Sequence, residues 1–284
     1  MMMDNIKICT PAKINLFLKV LGRRYDGYHV IRSGITFVNL FDQVDIKRSD
    51  RMLIQYSGPF KPKGGNYEDC IISKTLKFLN LDRRCNLNIN VTKNIPVQGG
   101  LGSASTNAAG LIQGLELMKI IDKKQPKDYV SLGADIPAFV FKQNCLVTGI
   151  GEILYSYSFS KYYFLIIKPS FNNSTKDMYD KFGYEPGSCD LSPDFEEFKI
   201  NDEDTGNDFE KFVFEENKEA KDLINFLEDL NDLVFSRMTG SGSCWYAVFE
   251  NKEQAIKANN VFKSNFPDLW SCVCENNIDL DAKF

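Results

Sequence analysis

The sequence predicts a mixed α+β protein of two domains, on three observations. Short runs rich in branched and aromatic residues alternate with segments whose apolar residues recur at helical intervals. The composition shifts near residues 156–161, just ahead of an apolar run. The 284 residues also exceed an average single domain. The expected division is 1–158 and 159–284.

The first 60 residues read as strands, at Ile14–Val20, Ile35–Val38, Val44–Lys47 and Leu53–Tyr56. Tyr67–Leu79 carries Ile71, Ile72, Leu76 and Leu79 at helical spacing. Asn86–Val91 reads as a strand, and after a Gly-rich segment Ser105–Lys119 has helix composition despite Gly110 and Gly114. The second half opens with the strand Tyr163–Lys168, stopped by Pro169, and an acidic, looped stretch follows at Gly183–Gly206. Helices are expected at Asp208–Asn217 and Ala220–Leu230. A strand pair, Phe235–Met238 and Cys244–Phe249, is joined by TGSGS. The helix Gln254–Phe266 and the strand Leu269–Cys274 complete the series.

Composition removes several function classes. The chain has one histidine, His29, which excludes multi-His metal sites and the HExxH peptidases. Its eight cysteines are scattered and form no CxxC pair, as expected of reduced thiols. The longest apolar run, Tyr162–Ile167, is far below the ~20 residues that span a bilayer, and the N-terminus lacks the pattern of a signal peptide. A cytoplasmic protein without a membrane partner is expected. Sixteen acidic residues stand against four lysines between Asp190 and Asp232, so the remainder of this net −4 chain is mildly basic. That balance suits anionic small molecules and does not advertise a nucleic-acid partner.

Four segments carry candidate chemistry. In PVQGGLGSASTNAAG (96–110), Gly99, Gly100 and Gly102 precede a helix and Ser103, Ser105 and Thr106 supply hydroxyls. Glycine lets the backbone approach a ligand, and a helix N-terminus favours an anion, so the segment reads as a phosphate cradle. The spacing is not that of a Walker A loop. MTGSGS (238–243) is a hairpin turn or a second source of backbone donors for the same phosphates. In LGADIPAF (132–139), Asp135 is either a helix cap or a general base held by that turn. In TPAKINLFL (10–18), Lys13 and Asn15 share one face of an apolar strand. Asp26-Gly27-Tyr28-His29 reads as a tight turn.

Together these segments resemble the GHMP kinases. PVQGGLGSAS is similar to that superfamily's phosphate loop and MTGSGS to its C-terminal Gly motif. PAKINLFLKVLGRRYDGYH, LGADIPAFV, GIGEI (149–153), KPSFNNST (168–175), GNDFE (206–210) and RMTGSGSC (237–244) resemble the branch whose substrate carries a cytidine base. The resemblance implies a two-domain fold, ribosomal protein S5 domain 2-like at the N-terminus and a ferredoxin-like α/β sandwich at the C-terminus. It implies ATP-dependent phosphorylation of the tertiary 2-hydroxyl of a methylerythritol moiety linked to cytidine diphosphate, with Mg²⁺, in the non-mevalonate isoprenoid route.

On this resemblance Asp135 takes the hydroxyl proton and Lys13 pairs with it. Pro96, Gly99, Gly100, Leu101, Gly102, Ser103, Ala104, Ser105 and Thr106, with Gly240, Ser241 and Gly242, hold ATP. Asn15, Thr175, Tyr28, His29 and Tyr179 meet the substrate. Tyr28 and Tyr179 sandwich the cytosine and His29 reads its edge. The family loop commonly has two glycines where Ser103 and Ala104 stand here. No carboxylate in these motifs is assigned to Mg²⁺, and no oligomeric state is assigned. The rivals are a mevalonate- or homoserine-type kinase, an inactive ligand sensor on the same fold, and an RNA-binding module.

Overall fold

A computed structural model describes residues 3–64, 67–82, 84–189 and 206–280 of the chain. Two long strands set the frame. β1 (Asn5–Arg23) and β2 (His29–Arg48) form an antiparallel hairpin, closed by a turn in which Arg24 N donates to Tyr28 O at 2.7 Å. The separate strands expected at 35–38 and 44–47 are both parts of β2. The polar stretch between them stays extended because its buried charge, Asp42, is paired with Lys93.

β2 shares its second edge between two partners. β4 (Leu87–Thr92) pairs with Gln43–Arg48, and β5 (Cys145–Gly149) pairs with Ile31–Ile35. β3 (Leu53–Ser57) runs parallel to β4, and β6 (Ile153–Ser156) lies beyond β5. β5 escaped the sequence reading because all five residues are buried, so it has no alternation to detect.

Helices α1 (Ile71–Phe78), α2 (Ser103–Leu117) and α3 (Ile136–Phe141) accompany this sheet, with a 3₁₀ turn at Pro126–Leu132. α1 is shorter than expected because the Cys70 thiol caps it, accepting from Ser73 N at 3.4 Å. The glycines inside α2 let it lie directly on the hairpin. A Cβ on Gly110 would stand 2.3 Å from Thr10 Cγ2, and one on Gly114 would stand 2.4 Å from Ile46 Cδ1.

The second sheet contains β7 (Tyr163–Lys168), β8 (Phe235–Met238), β9 (Trp245–Phe249) and β10 (Trp270–Glu275), all antiparallel, in the order β10-β7-β9-β8. This is the ferredoxin-like strand order. The first crossover holds α4 (Thr175–Asp180), α5 (Glu210–Glu216) and α6 (Lys218–Glu228), and the second holds α7 (Lys252–Asn265). α6 buries Ala220, Leu223 and Leu227 on one stripe, and an Asn251–Gln254 capping box starts α7. Of the stretch expected to be a loop at 183–206, residues 190–205 lie outside the described residues.

One apolar cluster runs from Leu18, Val20 and Phe37 to Trp245 and Phe249, and another joins Ala12, Ile14 and Leu16 to Phe164 and Tyr246. β1, a strand of the first sheet, therefore packs against the second. Within β1, Ala12–Asn15 is bracketed by register shifts at Pro11/Ala12 and Asn15/Phe17. Among the described residues no helix is long and apolar enough to cross a membrane.

Candidate active site

Lys13 and Asn15 project from the same face of β1 and are 3% and 2% exposed. Lys13 Nζ donates to Asn15 Oδ1, and Asn15 Nδ2 donates to Ser33 Oγ at 2.7 Å, so the amide orientation is fixed from β2. Asp135 begins α3, but its carboxylate makes no cap hydrogen bond there. It lies instead 3.5 Å from Lys13 Nζ with 39% of its side chain exposed. Of the two readings open for Asp135, the cap is not the one the side chain adopts. It is a solvent-reachable carboxylate beside a buried cation.

The Gly segment leads into α2, which begins at Ser103, two residues earlier than expected, with Gly102 as N-cap at φ 71°. The leading N–H groups of α2 have no intrahelical acceptor. They face a cavity of about 860 Å³ lined by residues 97–105, Lys13, Asn15 and Asp135. Beneath this turn is a polar node the sequence reading missed. Lys93 Nζ donates to Asp42, to Ser103 Oγ, to Ser103 O at 2.9 Å and to Asn107 Oδ1 at 2.6 Å. Asp42 Oδ1 accepts from Asn94 N at 2.6 Å and Ile95 N at 2.8 Å. Burial holds the Lys93 ammonium below the usual lysine value, with Asp42 opposing the shift. A signal was present: Leu87, Ile89 and Val91 point inward, and Lys93 is the next position of the same period.

The second Gly loop links β8 to β9 and is stitched to the first. Cys244 N donates to Gly99 O at 3.1 Å, Ser243 N to Gln98 O at 3.3 Å, and Thr239 Oγ1 to Gly100 O at 3.3 Å. Asn15 N donates to Thr239 Oγ1 at 3.0 Å, which ties the loop to β1 as well. Thr175 Oγ1 lies 2.9 Å from Ser241 Oγ. Gly240, Ser241, Gly242, Thr175 and Tyr179 all line the cavity. Tyr56 and Tyr67 also line the cavity, with ring centroids 4.8 Å apart, an aromatic pair not foreseen from the sequence.

Four of the expected site residues do not line this cavity: Pro96, Thr106, Tyr28 and His29. Pro96 is buried, and Thr106, on the packed side of α2, is 1% exposed. The ring of the hairpin turn that meets Tyr179 is that of His29. His29 stacks on Tyr179 with centroids 5.1 Å apart and planes at 24°, and Phe209 meets Tyr179 edge-on at 4.9 Å. Tyr28 is held by the turn, where Asp26 Oδ1 accepts from its N–H at 3.2 Å, and stays 59% exposed. Burial lowers the His29 pKa from its ordinary value, helped by Arg23 and opposed by Asp180. Among the described residues no group of three or more His, Cys, Asp or Glu could hold a metal ion.

The family described as "GHMP kinases N terminal domain" matches residues 70–144, and "GHMP kinases C terminal" matches residues 190–268. A 4-diphosphocytidyl-2-C-methyl-D-erythritol kinase from Fervidobacterium nodosum is 35% identical over 272 residues, covering 90% of this chain and 95% of that one. The chain belongs to this family of GHMP kinases. A kinase of the same name from Haemophilus ducreyi is 33% identical over 93% of this chain and 92% of its own. The crystal structure of a 4-(cytidine 5'-diphospho)-2C-methyl-D-erythritol kinase aligns with a TM-score of 0.73 at 22% identity, over 95% of this chain and 99% of that chain. Homoserine kinase from Cytophaga hutchinsonii aligns at 0.62 and 16% identity, over 98% and 96%. These two structures share the fold, and the two-domain GHMP architecture expected from the sequence is the one observed.

Proposed function

We propose that this kinase transfers the γ-phosphoryl group of ATP to the 2-hydroxyl of 4-diphosphocytidyl-2-C-methyl-D-erythritol. The observation that carries the reading is the Lys13–Asp135 pair, 3.5 Å apart, inside a cavity bounded by two interlocked Gly loops and by Tyr179. The triphosphate lies along Gly99–Ser105 and Gly240–Gly242, where backbone N–H groups and the α2 dipole favour phosphate. The wall of Tyr56 and Tyr67 takes the adenine. Thr175, Asn15 and the Tyr179 end take the acceptor, with the cytosine against the Tyr179–His29 pair and Tyr28 closing over it from the hairpin turn.

Asp135 accepts the proton of the tertiary hydroxyl as its oxygen bonds to the γ-phosphorus and the β,γ-bridging bond breaks. Lys13 offsets negative charge on the attacking oxygen. Phosphoryl transfer demands mainly positioning and charge stabilisation, and a base adds about 10²–10⁴-fold. Ser105, which lines the cavity, would offer Mg²⁺ a protein oxygen beside the ATP phosphates. Bound there, the ion supplies neutralisation of phosphate charge. The eight free thiols support a reducing, cytoplasmic setting, and the break between β6 and β7 supports units at 1–158 and 159–284.

A coupled ADP-release assay with Mg-ATP tests the reading. Turnover of the cytidyl substrate, without turnover of mevalonate or homoserine, is expected. Asp135→Asn is expected to lower kcat by about 10²–10⁴-fold with ATP binding retained. Unchanged turnover in that variant refutes the base assignment.

A further inference from the structure

The segment Gly206–Glu210, GNDFE, has no part in the chemistry above, yet it is hydrogen-bonded to both halves of the site. Towards β1, Leu18 N donates to Gly206 O at 3.0 Å and Asp208 N donates to Leu18 O at 2.9 Å. The Asp208 carboxylate accepts from Val20 N at 2.9 Å and from Lys19 Nζ at 3.1 Å. Towards the second Gly loop, Glu210 Oε1 accepts from Met238 N at 2.7 Å. Asn207 is the joint between these contacts. Its Nδ2 donates to Met238 O at 2.8 Å and to Gly240 O at 2.7 Å, and its Oδ1 accepts from Phe209 N at 3.0 Å. The residue is 5% exposed, and both polar atoms of its side chain are engaged.

The two carbonyls it holds flank Thr239, the residue that also bonds Asn15 N and Gly100 O. Gly240 has φ 57°, and a Cβ built on it would stand 3.2 Å from both Lys13 Nζ and Asn15 Oδ1. The backbone at Gly240 is thus one wall of the place where the Lys13 ammonium sits. We propose that Asn207 is a positioning residue for phosphoryl transfer: its amide fixes the Gly240 backbone against Lys13 and Asn15, and so sets the spacing between the nucleotide loops and the Lys13–Asp135 pair. Without it, two buried carbonyls lose their donor and the loop is free to shift. A displacement near 1 Å at a reacting centre costs on the order of 10²-fold in rate. The inference rests on the kinase reading given above.

The test compares wild type, Asn207→Ala and Asn207→Asp in the ADP-release assay, with a melting curve for each. Asn207→Ala is expected to lose about 10²-fold in kcat while KM for the cytidyl substrate moves by less than about threefold. Asn207→Asp keeps the shape and the acceptor for Phe209 N, so it serves if the alanine variant does not fold. At about pH 8 its carboxylate faces two carbonyl oxygens and kcat falls as far. Protonation returns one donor, so its kcat relative to wild type rises as the pH is lowered to about 6. Asp208, Lys19 and Arg237 surround the segment in both proteins, and Glu210, whose carboxyl burial pushes up to about 7 beside the new acid, is replaced by Gln in both members of the ratio. A folded Asn207 variant with kcat within about threefold of wild type overturns the proposal. So does a loss confined to KM, or a ratio flat with pH. An inactive wild type overturns the kinase reading and this proposal with it, whereas an active wild type beside active variants overturns this proposal alone.

Discussion

Lys93→Met removes a buried cation and keeps the length of the side chain. Lys93 and its partner Asp42 have side chains 3% and 0% exposed, so neither charge can fall back on water. Removing one member of such a pair costs about 3–5 kcal/mol, because the other is left charged and uncompensated. Asp42 retains donors from Asn94 N, Ile95 N and Asn107 Nδ2, which places the expected cost at the lower end, about 3 kcal/mol. For a chain of this size that is a fall of about 6–12 °C in Tm. Urea and thermal melts of Lys93→Met, Asp42→Asn and the double variant measure it. The double variant keeps an acceptor for Asn94 N and Ile95 N while removing both charges. It is expected to be more stable than the summed single losses predict, by about 2 kcal/mol. A single-variant loss below about 1 kcal/mol, or strict additivity, refutes the view that this pair is held by mutual compensation. The same variant unpins Ser103 at the start of α2, so its KM for ATP is expected to rise.

Two further perturbations probe the loops and the buried acid. In Gly100→Ala the new Cβ would meet Thr239 O at 2.0 Å, in a backbone at φ 72°, so the two Gly loops must part. The expected result is a KM for ATP raised about tenfold or more, and an unchanged KM refutes the interlocked-loop geometry. Burial pushes the Glu210 carboxyl up to about 7. Because its pKa is raised on folding, its contribution is whole below the unfolded value near 4.3 and is lost as the pH rises through about 7, at roughly 1.4 kcal/mol per unit. Glu210→Gln keeps the acceptor for Met238 N. Its stability relative to wild type is expected to climb by about 3 kcal/mol between about pH 4 and pH 8, and a flat difference refutes the buried-acid account.

The parts of the site legible in the sequence are those whose signal is local. Lys13 and Asn15 could be placed on one face because two residues apart in a strand means one side, and the glycines of both loops announce themselves by composition. The β8–β9 pair was readable from two apolar runs around a tight Gly-Ser turn. The illegible parts depend on partners distant in sequence. Asp42 looked like an interruption between two strands until Lys93, 51 residues on, supplied its counter-charge. His29 is tied to a base only by resemblance, and the stacking of its ring on Tyr179 of the second sheet's crossover is a contact no local pattern encodes. Asn207 was legible only as a member of the GNDFE segment, since nothing near it in sequence shows that its amide has two carbonyls to hold.

The register shifts that bracket Ala12–Asn15 bear on how faithfully the hairpin must assemble. Lys13 and Asn15 face the cavity while Ala12 and Ile14 face the apolar cluster, so sliding β1 by one position exchanges the two sets. A misaligned hairpin buries an ammonium where a methyl group belongs and shows isoleucine to the cavity. Errors of assembly and errors of catalysis are then one defect. Specific activity per folded molecule becomes a direct gauge of how many copies closed that hairpin in the right alignment.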